Sequence, residues 1–179
     1  MSGAREDSDT GNGRALALAW RVLSRRDHTV AELRAFLERR GVEPAAADRA
    51  VAEVARAGYL DDAGFARRFV EDRRRLDRWG EERIARALER RGVATDLVQE
   101  VLAGRGEEAE LEGARSLLAG RMRIGPVDDR GRRRALGLLV RRGYDAEVAY
   151  EAVRRHERET PPDSPAETMR PEPPSTIRP

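Results

Sequence analysis

Few side chains in this sequence could carry out covalent chemistry. Cysteine is absent, which excludes a thiol nucleophile, a disulfide framework and a zinc-thiolate site. His28 and His156 are the two imidazoles available as bases or ligands. His28 lies in Arg-Arg-Asp-His-Thr, just before a helix start signal, and reads as a solvated loop residue. His156 falls at the end of the last helical pattern, where its cation would suit the helix dipole. The carboxylate pairs Asp61-Asp62 and Asp128-Asp129 could hold a metal, but each stands where a helix begins, and acidic helix starts are the ordinary use of such residues. No third or fourth ligand follows at metal spacing. No Gly-x-Gly-x-x-Gly or Walker phosphate loop is present. The reading is therefore non-enzymatic, with no catalytic, metal or cofactor-binding residues and no cofactor.

The remaining chemistry is that of arginine. All 35 basic residues are arginine, against 33 acids, for a formal charge of +2. The lack of lysine, together with 27 alanines, fits a GC-rich codon usage. The guanidinium is also the preferred group for bidentate contact with phosphate and carboxylate, so position must decide. Arg67, Arg68, Arg73, Arg74, Arg75 and Arg78 lie on or just beyond one helix. With Phe65 and Phe69 facing inward, Arg67, Arg74 and Arg78 point away from the core. Arg73 is nearly in line with Phe69 and suits a structural ion pair. Arg130, Arg132, Arg133 and Arg134 open another helix, where cations oppose the dipole. Part of this charge is an ordinary solvated face: Glu71 and Arg75, Glu82 and Arg86, and Glu151 and Arg155 have i,i+4 spacing in the favourable order. The candidate interface is Arg67, Arg68, Arg74, Arg75, Arg78, Arg90, Arg91, Arg132, Arg133 and Arg134.

The elements that hold these residues are helices. Apolar residues recur at helical spacing and nowhere alternate over a strand length. Nine patterns are legible: Leu16, Trp20 and Leu23; Leu33, Phe36 and Leu37; Ala47, Val51 and Val54; Phe65, Phe69 and Leu76; Ile84 and Leu88; Leu97, Val98, Val101 and Leu102; Leu111, Ala114, Leu117 and Leu118; Leu136, Leu139 and Val140; Val148, Ala149, Ala152 and Val153. Trp20, Phe65, Phe69 and Ile84 are the expected large core residues. Thr29 and Glu32 stand at capping-box spacing, and Pro44 suits a first helical position. Gly41, Gly58, Gly92 and Gly143 fall just past helix ends, where the left-handed conformation favours glycine.

The patterns repeat. Leu37-Glu-Arg-Arg-Gly-Val42 recurs unchanged as Leu88-Glu-Arg-Arg-Gly-Val93 and returns as Leu139-Val-Arg-Arg-Gly-Tyr144, at a period of 51 residues. A fixed period over three copies signals a repeat architecture. In each copy the leucine packs inward, the arginines face the negative end of the dipole, glycine ends the helix and the apolar residue folds back on the last turn. The expected fold is all-α: three tandem three-helix repeats in an elongated, curved array, over 14–60, 61–104 and 105–158. Residues 1–13 read as a disordered leader, and 159–179, with seven of the nine prolines, as a disordered Pro-rich tail. Between them the body carries 32 arginines against 26 acids. No run of 18 apolar residues and no secretory h-region are present, so no membrane contact and a cytoplasmic location are expected.

Gly58-Tyr-Leu-Asp-Asp62, Phe65-Ala66, Arg73, Trp79-Gly80, Arg83-Ile84, Leu88 and Arg91-Gly92-Val93 resemble the central signature of the RecX regulatory proteins. The Ala15 to Leu23 helix and Ala31-Glu-Leu-Arg34 fit that family's first repeat, and the third copy matches loosely. The resemblance implies a non-enzymatic regulator that binds the RecA recombinase filament within its groove, and a monomer is expected. It implies inhibition of filament growth, ATP hydrolysis, strand exchange and the SOS response, in DNA repair and recombination. DNA contact is implied to be weak or made within the filament. The alternative from the residues alone is a helical-repeat protein that binds DNA directly, although the alanine- and valine-rich third helix of each copy offers no clear recognition helix.

Overall fold

The computed structural model describes residues 3–104, 106–122 and 128–159. Nine α-helices run through them: α1 Gly3–Leu23, α2 Val30–Arg39, α3 Pro44–Arg56, α4 Asp62–Asp72, α5 Glu81–Arg90, α6 Thr95–Ala103, α7 Glu107–Arg121, α8 Asp129–Arg142 and α9 Ala146–Glu159. One π-helical turn, Arg73–Asp77, prolongs α4. The Pro-rich segment 160–179 lies outside the described residues.

Local signals set the helix ends. Thr29 caps α2 through its hydroxyl while the Glu32 carboxylate reaches back to the Thr29 amide, a complete capping box. Asp61 caps α4 and Asp128 caps α8 through their side chains. The three Arg-Arg-Gly turns close alike. Val42, Val93 and Tyr144 donate their amides to the carbonyls of Leu37, Leu88 and Leu139 at 3.1, 3.1 and 3.2 Å. Each intervening glycine has positive φ, between 74° and 85°. This is the Schellman arrangement, with the apolar residue folded onto the helix it ends.

Each repeat has its own core. Leu33, Leu37, Val54 and the alanines Ala15, Ala19, Ala47 and Ala50 fill the first. Phe65, Val70, Ile84, Leu88, Val93 and Val98 fill the second. Leu117, Leu118, Leu139, Tyr144 and Val153 fill the third. Three separate clusters in chain order are what a tandem array requires.

Several expectations change. Helix α1 begins at Gly3, so the leader read over 1–13 is helical from Gly3 onward. Its polar composition argues against burial, but a helix extends from a packed segment by adding one hydrogen bond per residue and needs no burial to do so. Trp20 is not core: it is 39% exposed and meets Tyr59 edge-on, with centroids 4.6 Å apart. Ala15 and Ala19 take the inward face instead, leaving the indole at the edge where water can accept from its N–H. Leu76 is 67% exposed rather than buried, because the π-helical turn shifts its register. His28 is buried rather than solvated, and His156, at the end of α9, is buried too. His28 Nδ1 lies 3.0 Å from the Arg26 carbonyl and His156 Nε2 2.9 Å from the Met122 carbonyl. Each carbonyl can only accept, so each of these ring nitrogens carries a proton.

Candidate functional site

The repeats dock by one rule used twice. The start of the middle helix of one repeat meets the Arg-Arg-Gly turn of the next. At the first junction Thr29 Oγ1 donates to the Arg91 carbonyl at 2.6 Å. The Glu32 carboxylate takes a bidentate pair from the Arg91 guanidinium at 2.7 and 2.9 Å. Ala31 lies against Gly92, where an added Cβ would stand 2.2 Å from the alanine methyl. At the second junction, 51 residues on, the Gly80 amide donates to the Arg142 carbonyl at 2.8 Å and the Glu82 amide to the Gly143 carbonyl at 3.1 Å. A Cβ on Gly80 would fall 2.3 Å from the Gly143 carbonyl carbon. In both junctions a carboxylate from the next repeat's first helix receives an amide at the start of the docked helix. Asp62 takes Val30 at 3.0 Å and Glu110 takes Glu81 at 2.8 Å.

At the outer ends the same positions are filled from within. Arg14 donates to the Arg40 carbonyl at 3.3 Å, the position Thr29 and Gly80 serve inside the array. Gly131, which corresponds to Gly80, donates to its own N-cap Asp128 at 2.6 Å.

Burial and charge act against each other at Glu32 and Asp62. Burial pushes the Glu32 carboxyl up, but the Arg91 hydrogen bond, the Thr29 amide and the nearby Arg91 charge outweigh it and hold the group below its ordinary value. At Asp62 burial prevails over the Val30 hydrogen bond, helped by the charges of Asp61 and Glu32, and the group is raised.

The candidate arginines divide between these junctions and open surface. Arg67, Arg74, Arg75 and Arg78 line one groove, together with Val70, Trp79, Ser116 and Tyr144. Arg74 does not point freely outward as the helical period suggests: its side chain is only 10% exposed and pairs with Glu81. Arg78 donates to Ser116 Oγ at 2.5 Å, and Arg75 sits 3.6 Å from Asp72 rather than on Glu71. Arg67 is exposed at the groove wall. Arg68 leaves this group and pairs with Asp27 across the first junction at 2.9 Å. Arg91 is structural, with its guanidinium 4.3 Å from the Phe65 ring centroid as well as on Glu32. Arg73, read from sequence as a structural ion pair, bonds Asp77 at 2.5 Å over the Phe69 and Trp79 rings. Arg90 lines a second groove with Arg25, Arg26 and Arg39, three residues that the sequence reading left out. Arg132 pairs with Glu157 at 2.7 Å, while Arg133 and Arg134 are exposed on α8.

Residues 15–53 match the family model described as RecX, first three-helix domain, and 61–102 match RecX, second three-helix domain. The chain is 38% identical over 148 residues to the regulatory protein RecX of Deinococcus radiodurans, covering 83% of this chain and 71% of that one. It is 35% identical over 142 residues to the Mycobacterium avium regulatory protein RecX, covering 78% and 82%. The chain belongs to the RecX family. The crystal structure of RecX from Lactobacillus salivarius shares the fold at a TM-score of 0.75 and 14% identity, over 84% of this chain and 99% of that one.

In this RecX-family chain helix polarity explains much of the charge pattern. A third groove, on the other side of the second junction, is lined by Glu81, Glu82, Glu107, Glu108, Asp145 and Glu147. These residues begin α5, α7 and α9, where negative charge suits the positive end of the dipole. Arg39 and Arg90 likewise close α2 and α5. Arg67, Arg133 and Arg134 have no such explanation: they lie beyond the terminal turns of α4 and α8, whereas Arg75 stands in the last turn of the π-helical segment. Among the described residues no group of three or more His, Asp or Glu side chains could hold a metal ion. No helix among them is long and apolar enough to cross a membrane.

Proposed function

We propose that this protein binds the RecA recombinase filament and restrains its growth, ATP hydrolysis and downstream recombination and SOS activities. It acts as a cytoplasmic monomer without a cofactor. One observation carries the reading beyond family membership: three independently packed cores joined end to end by one repeated docking rule. Such an array presents a long surface that can track a polymeric target. The groove of Arg67, Arg75 and Arg78 between the second and third repeats is the favoured contact surface, because it gathers exposed arginines of which Arg67, in mid-helix, is not accounted for by a helix terminus.

The test is RecA's single-strand-DNA-dependent ATP hydrolysis with this protein added below stoichiometry. Hydrolysis falls in proportion to filament shortening; unchanged hydrolysis and filament length would remove the proposal. Arg67→Glu with Arg75→Glu weakens inhibition and leaves the helical signal intact. Arg74 is unsuited to that experiment, because its pairing with Glu81 makes reversal disturb the fold.

Direct DNA binding is the second reading. It is supported by Arg133 and Arg134, adjacent and exposed on α8. Tight binding of duplex in the absence of RecA, with an affinity that drops steeply as salt rises, would favour it.

A further inference from the structure

The turn that joins α4 to α5 is built in a way that folding alone does not require. Helical spacing from Phe65 and Phe69 would carry Leu76 into the second core. The π-helical turn at Arg73–Asp77 removes it. Leu76 is the most exposed large apolar side chain among the described residues. Arg73, one turn back and 38% exposed, lays its guanidinium 4.9 Å from the Phe69 ring centroid and 5.3 Å from that of Trp79. A part-exposed arginine thus packs against two rings while a leucine at the same turn faces water.

The turn is also strained and held. Arg78, which closes it, is left-handed at φ 54° and ψ 44°, the one non-glycine residue with positive φ among those described. Such a conformation persists where the surroundings enforce it, and it concentrates at functional sites, as π-turns do. Here the third repeat enforces it. Tyr144 donates its hydroxyl to the Arg78 carbonyl at 3.3 Å, Arg142 donates to the Asp77 carbonyl, and the Arg78 side chain reaches Ser116. Leu76 therefore stands on a fixed pedestal and loses little backbone freedom on binding. Around it Arg75 is 69% exposed and Arg78 is exposed two residues on, while Asp77 is paired with Arg73 and Asp72, 55% exposed, lies 3.6 Å from Arg75.

We propose that Leu76 is an apolar anchor that inserts into a pocket on a protein partner, with acidic side chains of that partner around the pocket facing Arg75 and Arg78. A protein surface is favoured over nucleic acid because a phosphodiester backbone would engage the arginines and give the leucine nothing to bury against. The inference rests on the RecA reading for the identity of the partner and adds the contact that carries affinity. Truncating a central apolar anchor costs about tenfold or more in affinity.

The experiment compares the full-length protein with Leu76→Ser and Leu76→Met. Readouts are half-inhibition of RecA's ATP hydrolysis, affinity for a fluorescent mixed-sequence oligonucleotide, and thermal melting. Leu76→Ser is expected to raise the half-inhibitory concentration about tenfold. Leu76→Met should restore most of the inhibition, and neither change should alter oligonucleotide affinity or melting. Inhibition by Leu76→Ser equal to that of the unsubstituted protein overturns the anchor, as does an equal loss of oligonucleotide affinity, which would make the turn a nucleic-acid contact. If the unsubstituted protein itself fails to inhibit, the RecA reading fails. The anchor is then tested by crosslinking from a photoreactive residue at position 76 in cells: a protein adduct supports it and a nucleic-acid adduct overturns it.

Discussion

The two junctions of this array occupy the same place in the repeat and are held by different chemistry. The first is made by side chains: the Thr29 hydroxyl, the Asp62 carboxylate and the half-buried Glu32–Arg91 pair. The second adds a backbone seam to its side-chain bonds: the Gly80 and Glu82 amides donate directly to the Arg142 and Gly143 carbonyls, beside the Glu110, Arg142 and Tyr144 side-chain contacts. A side-chain junction responds to protonation and to loss of a partner. A backbone seam has nothing of its own to titrate and fails when atoms are added. The 51-residue repeat fixes where units meet without fixing how.

That contrast can be broken at several points. The largest effect is expected from Gly80→Ala. The new methyl would meet backbone atoms of Gly143 and Tyr144 within 2.4 Å, and backbone cannot swing aside as a side chain can. A loss of about 3 kcal/mol is expected, at the upper end for overpacking. Urea unfolding should also lose its single transition as the third repeat separates. Retention of wild-type stability would show that the second junction is loose.

Arg91→Ala comes next. It leaves Glu32 with its side chain 23% exposed and without its guanidinium, and removes contact with the Phe65 ring. A cost of about 2 kcal/mol is expected from a charged hydrogen-bonded pair, read in the same unfolding experiment. The equivalent Arg142→Ala should cost less, because the second junction keeps its backbone bonds.

The smallest effect separates two carboxylates at the first junction by the sign of their pH dependence. Glu32 is held below its ordinary value, so its contribution is complete above the unfolded carboxyl value of about 4.3 and disappears as pH falls through the lower folded value. Asp62 is raised, so stability is lost as pH rises from the unfolded value, about 3.9, through the higher folded one. Asp62→Asn keeps an oxygen to accept from Val30 and removes that penalty. A small rise in melting temperature at neutral pH is expected, with the acid-side slope of Glu32 unchanged. A fall at neutral pH would show that the charge of Asp62 helps the junction.

The repeat period, the capping box, the Schellman turns and the succession of helices were all legible, because each rests on local spacing. Leu37, Leu88 and Leu139 are fully buried where the repeated motif puts them. What escaped depends on contacts between repeats or on a break in the period. Leu76 was misplaced because a π-helical turn has no signature in apolar spacing. Trp20 was misplaced because α1 packs through alanines, which a search for large residues passes over. Arg74 and Arg91 looked free because Glu81 and Glu32 pair with them only in three dimensions. Arg25, Arg26 and Arg39 were overlooked because they meet Arg90 only across the first junction, although their places near helix ends were visible. His28 looked exposed because nothing in a loop sequence announces burial.

The arrangement of the two outer ends governs how far the array can grow. A unit that docks head to tail, with complementary faces at its extremities, would add copies of itself without limit. Here Arg14 occupies the acceptor on the first turn, and Asp128 holds the amide that would reach for a fourth. Among the described residues the two outer turns are therefore already engaged within their own repeats, so a further copy of the unit would gain no such docking bond there.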